Sequence, residues 1–160
     1  MSTAIPRDEL QQYIGHTTEP TDWLTIDQSR INAFADCTGD HQFIHVDPEA
    51  AGQSPFGSTI AHGFLTLSLL SHFAGQLRVG IAGVEMAVNY GLDRVRFINP
   101  VKVDQRVRVQ ARVLDVVDRG GGRYQVKLEM TMEIEGEEKP ALIAEWLIMQ
   151  FTGVMQGERQ

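Results

Sequence analysis

The sequence predicts an α+β protein in which one antiparallel β-sheet curls around a long central α-helix. Three observations carry that prediction. The run HGFLTLSLLSHFAGQL from His62 places apolar residues almost all round a helix, and a helix apolar on every side is buried. Residues 106–113 and 124–134 alternate apolar and polar side chains, the period-two pattern of a sheet with one face on the core. The connections between these strands are of hairpin length, which makes neighbours antiparallel.

Taken in order, residues 7–14 read as a short helix and residues 22–26 as a brief strand. Thr25 and Gln28 have capping-box spacing, so Thr25 is the expected N-cap of the next helix. That helix carries Ile31, Phe34 and Ala35 on one face and ends at Gly39, a left-handed residue beyond its C-terminus. A loop over residues 40–46 follows. Asp47-Pro48 opens a short helix, with Asp capping and Pro in the first turn. Residues 53–58 form a loop, and the central helix then runs from His62 to Leu77. A strand over residues 86–97 is expected to be bulged or broken near Gly91. Gly120-Gly121-Gly122 and residues 136–139 turn the chain between later strands, the last covering residues 141–151. Residues 1–152 form a single domain, and residues 153–160 a disordered tail.

Composition narrows the function. With 160 residues, 42% hydrophobic and 22% charged, the chain is an ordinary globular domain. A net charge of −7 argues against nucleic acid, which needs a basic footprint. No apolar run approaches the ~20 residues needed to span a bilayer, and the N-terminus lacks the basic start and apolar core of a signal peptide. The lone Cys37 excludes an internal disulfide and fits a cytoplasmic location; its expected role is that of a small buried residue.

Four of the five histidines fall within residues 41–72, beside Asp40 and Asp47, so the chemistry is expected there. Asp40 and His45 could share a water as an acid–base pair, although spacing alone does not separate them from a solvated loop with a capping Asp. His41, His45, His62 and Asp47 could ligate zinc, but no second motif supports a metal and none is expected. Ala61-His62-Gly63 opens the central helix, where free N–H groups and the positive end of the dipole can polarise a carbonyl. Gly63 would permit the close approach, and would equally permit tight helix–sheet packing. Jointly these elements suit water addition to an α,β-unsaturated thioester, where negative charge develops on the thioester oxygen. Loss of one such oxyanion donor in a protease costs about 3–4 kcal/mol.

Asp40, His45, Asp47-Pro48 and His62-Gly63 resemble the motif of the MaoC-like dehydratases, specifically the (R)-specific enoyl-CoA hydratases. NYGLDRVRFINPV, residues 89–101, resembles the NodN-like branch of that group. The resemblance spans residues 23–151, and it implies a hot-dog fold. It implies that Asp40 and His45 activate the water, that the Gly63 N–H polarises the carbonyl, and that Ser71 on the central helix orients the site, with Ser68 close by. It implies a homodimer and a reversible, (R)-specific hydration of enoyl thioesters carried by coenzyme A or acyl carrier protein, with no cofactor beyond the coenzyme A of the substrate. Gln42-Phe43 departs from the Asn-Pro of many relatives, and His41 adds a titratable group. Arg94, Arg96, Lys102, Arg106 and Arg108 are the basic concentration that could bind coenzyme A phosphates; outward faces of exposed strands are the plainer reading. Phe64, Leu67 and Leu70 are candidates to line an acyl tunnel. A hot-dog thioesterase and a non-catalytic acyl-thioester binding module remain the competing functions.

Overall fold

The computed structural model describes residues 3–153, so most of the expected tail lies outside the described residues. Its long strands are those the alternation predicts. β1 (Thr3–Ile5) and β2 (Leu24–Thr25) flank a 3-10 turn at Leu10–Tyr13. Then come α1 (Gln28–Thr38), α2 (Phe43–Val46), α3 (Pro48–Gly52) and α4 (Gly63–Leu77). β3 (Val79–Ile81), β4 (Val84–Phe97), β5 (Arg106–Gly120), β6 (Arg123–Ile134) and β7 (Leu142–Thr152) complete the chain. The main sheet is antiparallel in the order β2-β5-β6-β7-β4. β1 and β3 form a separate parallel pair, which the sequence pattern did not signal because each has only three residues.

Period-two burial builds the core. Val109 and Val113 of β5, Met130 and Met132 of β6, and Leu142 and Ala144 of β7 face inward. Leu65, Leu69, Leu70, Phe73 and Leu77 of α4 pack on them. Burying each large side chain contributes about 1.5–3 kcal/mol. The outer face is laced by cross-strand ion pairs, Arg108–Glu133 at 2.6 Å and Arg112–Glu129 at 2.9 Å, with Arg106 paired to Glu135.

Several local expectations are corrected. The N-cap of α1 is Asp27, not Thr25: its carboxylate accepts the Arg30 N–H at 2.8 Å, while Thr25 pairs with Arg106 in the sheet. Residues 7–14 hold only the 3-10 turn, and the loop over residues 40–46 winds into α2. Cys37 is exposed, because it lies off the α1 face that buries Ile31 and Ala35. α4 is not covered all round: Phe64, Ser68, Ser71 and Gly75 form an exposed stripe, with Phe64 69% exposed. The sheet covers one side of the helix and leaves this one open. Gly39 caps α1 in the left-handed region at φ 78°, and Asp47 caps α3 by accepting the Ala50 N–H. β4 shifts register between Asn89 and Gly91, as the glycine suggested.

Candidate active site

The site gathers where α1, α2 and the start of α4 meet. Residues 59–61 are held from two sides: Ile60 N–H donates to the Ile44 carbonyl and Ala61 N–H to the Val101 carbonyl. α2 is a single turn that swings His45 inward, leaving it 7% exposed. Its Nδ1–H donates to the Ile60 carbonyl at 2.7 Å. The carbonyl can only accept, so the Nε2 lone pair stays open for a proton. Burial holds the His45 imidazole below its ordinary pKa; the Ile60 carbonyl opposes this, and His62 adds to the lowering. A buried imidazole that favours its neutral form is suited to act as a base.

Asp40 follows the cap of α1 and stays exposed, its carboxylate accepting the Gln42 N–H at 3.3 Å. Ligand atoms of Asp40, His45 and His62 lie within 4.8 Å of one another, a span one water can bridge. Gly63 is the first residue of α4, and its N–H makes no hydrogen bond among the described residues, as expected for the first turn of a helix. A Cβ there would sit 3.1 Å from the Phe97 ring, so the glycine makes room for that ring. His45, Gly63, Thr66, Phe97 and Asn99 line one cavity of about 260 Å³.

The structure therefore brings Asp40 to His45, and it places His45 and Gly63 on one cavity that Asp40 does not line. Within one chain it does not bring Ser71 to them: eight residues along α4 from Gly63 is about 12 Å. Ser71 instead lines two grooves between α4 and β4, with Asn89 and Trp146 common to both. Ser68 has its hydroxyl committed to the Phe64 carbonyl at 2.7 Å. Leu67 and Leu70 line the smaller groove, whereas Phe64 is not among its lining residues.

The remaining expectations divide. Of the residues considered for zinc, Asp47 caps α3, and His41 pairs with Asp36 at 2.9 Å. The rings of His45 and His62 stack, with centroids 3.8 Å apart and planes 23° apart. One nitrogen of each ring lies within 4.8 Å of an Asp40 carboxylate oxygen, so Asp40, His45 and His62, rather than His41 and Asp47, are the described side chains with the spacing of ion ligands. Arg106 and Arg108 are engaged by glutamates and lie over the Trp23 ring. Arg94, Arg96 and Lys102 have no ion pair among the described residues, and Lys102 bridges to Ile60 beside the site. Gln28 was read only as part of a cap. Its amide donates to the His45 carbonyl at 2.8 Å and accepts the Thr59 hydroxyl at 2.5 Å, which ties α1 to both walls of the site.

The chain is similar to known proteins in both sequence and fold. A family model described as a MaoC like domain matches residues 9–135. The 3-hydroxyacyl-thioester dehydratase Z of Mycobacterium tuberculosis is 48% identical over 140 residues, covering 88% of this chain and 92% of that protein. Nodulation protein N of Rhizobium leguminosarum bv. viciae is 52% identical over 142 residues, covering 86% and 87%. The unliganded R-hydratase from Pseudomonas aeruginosa superposes with a TM-score of 0.70 at 25% identity, covering 93% of this chain and 87% of that one.

Proposed function

The chain belongs to the MaoC-like dehydratase family, and from that premise we propose that it is a hydro-lyase interconverting 2-enoyl and (R)-3-hydroxyacyl thioesters. The observation that carries the reading is the buried His45, its Nδ1–H spent on Ile60, a ring nitrogen within 4.8 Å of an Asp40 carboxylate oxygen, and Gly63 on the same cavity. In hydration, His45 and Asp40 withdraw a proton from water as its oxygen bonds to C3. The electron pair of the C2–C3 double bond moves toward the thioester oxygen, which the Gly63 N–H stabilises. C2 then takes up a proton, so one water is added; dehydration reverses each step.

Three further elements complete the proposal. Arg94, Arg96 and Lys102, cations without a carboxylate partner among the described residues, receive the phosphates of coenzyme A. Leu67, Leu70 and Trp146 flank the acyl chain, and the substrate carries it into the groove beside Ser71. Two copies associate through β4. It is an edge strand of 14 residues with Val88, Tyr90 and Leu92 at 42%, 61% and 42% exposure, and such an edge invites pairing. Two copies would also offer Ser71 a second route to an Asp40–His45 pair. No described helix is long and apolar enough to cross a membrane, and we assign the protein to the cytoplasm, where the exposed Cys37 thiol stays reduced.

The test is loss of the conjugated enoyl absorbance with crotonyl-CoA. Wild type should consume it without releasing thiol, and Asp40→Ala and His45→Ala should each lose at least about a hundredfold in rate. Thiol release would instead identify a thioesterase, and unchanged substrate a binding module. With crotonyl-pantetheine in place of crotonyl-CoA, Arg96→Ala and Lys102→Ala should behave as wild type. An equal rise in KM for both substrates would remove the phosphate assignment.

A further inference from the structure

His62 is 2% exposed and stands at the N-terminus of α4. Its Nε2 lies 3.0 Å from the main-chain carbonyl of Asp40. That carbonyl can only accept, so Nε2 carries the proton and Nδ1 does not. Nδ1 is buried and has no hydrogen-bond partner among the described residues. A buried polar atom without a partner is costly, so the ring gives up half of its hydrogen-bonding capacity to stand here. One face of the ring stacks on His45, and Phe34 of α1 packs on it with centroids 4.9 Å apart. His62 thus touches both members of the Asp40–His45 pair, one through its N–H and the other through its π face. Among the described residues the Asp40 carboxylate accepts only the Gln42 N–H, at 3.3 Å; Asp40 is exposed and follows a left-handed glycine.

We propose that His62 is a positioning residue, whose Nε2–H fixes the backbone at Asp40 while its ring face sets the plane of His45. The inference rests on the hydration reading above. Without His62 the Asp40 carboxylate would sample several positions relative to His45 Nε2, and the water between them would lose its alignment. Misplacement on that scale lowers turnover and leaves substrate binding nearly unchanged.

Three variants separate the two contacts. His62→Gln keeps an N–H donor and loses the ring. His62→Phe keeps a stacked ring and loses the donor. His62→Ala loses both. With crotonyl-CoA, His62→Ala should lose roughly tenfold to a hundredfold in kcat, His62→Gln and His62→Phe should each fall between it and wild type, and KM should stay within about twofold throughout. The proposal is overturned if His62→Ala keeps wild-type kcat, if the losses appear in KM, or if His62→Gln and His62→Phe are as slow as His62→Ala and equally lowered in Tm. Long-range 1H–15N spectra of the wild type provide a readout independent of activity. They should show the Nε2–H tautomer for His62 and the Nδ1–H tautomer for His45, and the opposite tautomer at His62 would also overturn it. If wild type hydrates no enoyl thioester, the functional reading fails while the tautomers still decide whether the anchor exists.

Discussion

At the scale of single residues, His45 shows how position converts an ordinary side chain into a reactive one. An exposed imidazole titrates near 6.5; burial lowers that value and His62 adds to the lowering, while the Ile60 carbonyl and the negative Asp40 partly restore it. NMR titration should therefore place the His45 midpoint below 6.5, and Asp40→Asn should move it lower still. A midpoint at or above 6.5 in wild type would contradict the burial argument. The acid limb of kcat/KM should follow the same midpoint. The sign for stability is set by linkage: the unfolded chain binds the proton more readily than the fold does. The His45 contribution is therefore complete above pH 6.5 and is lost as pH falls toward the folded value. His41, raised by its bond to Asp36, acts with the opposite sign, holding below pH 6.5 and fading as pH rises through its raised value. It is fully exposed, so salt weakens it.

Among the elements, the short ones around the site depend on a few hydrogen bonds. α2 has four residues, too few to be stable on its own. Gln28 on α1 holds it through the His45 carbonyl and holds residue 59 through the Thr59 hydroxyl. Gln28→Ala should cost about 1–3 kcal/mol, since one removal strands two buried partners, which lowers Tm by roughly 2–10 °C in a chain of this size. It should also lower kcat. A thermal melt and a rate on the same preparation check both, and an unchanged kcat would mean that α2 stands without the latch. α4 and the long strands need no such latch, because Phe73, Met130, Met132 and Leu142 are wholly buried between them.

Considered whole, the molecule is lopsided. Its sheet is covered on the α4 side and ion-paired on the other, while β4 and the exposed stripe of α4 leave one apolar edge open. A monomer exposing so long an apolar strand would tend to self-associate. Sedimentation or light scattering should give twice the 17.9 kDa chain mass, and the double variant Val88→Asp with Tyr90→Lys should be monomeric. A wild-type monomer would remove the β4 pairing. If dimerisation is needed to bring Ser71 to the Asp40–His45 pair, the monomeric variant should also lose activity while its Asp40 and His45 remain in place.

The long strands, the helix 63–77 and the caps at Gly39 and Asp47 were legible in the sequence, and Asp40, His45 and Gly63 stood out in it as candidates. Each is written in a short-range pattern: a period of two or 3.6, a cap residue, or a motif within one segment. It misplaced the cap at Thr25, because two residues of a two-stranded pairing compete with a capping pattern and only the partner strand decides between them. It also buried Cys37 and covered α4 all round, since periodicity says which residues are apolar but not which side a neighbour occupies. Only the tertiary structure stacked His62 on His45, turned Gln28 into a latch and placed Ser71 in the grooves with Asn89 and Trp146. Those outcomes depend on contacts between residues far apart in the chain, and packing creates such contacts without leaving a local pattern to read.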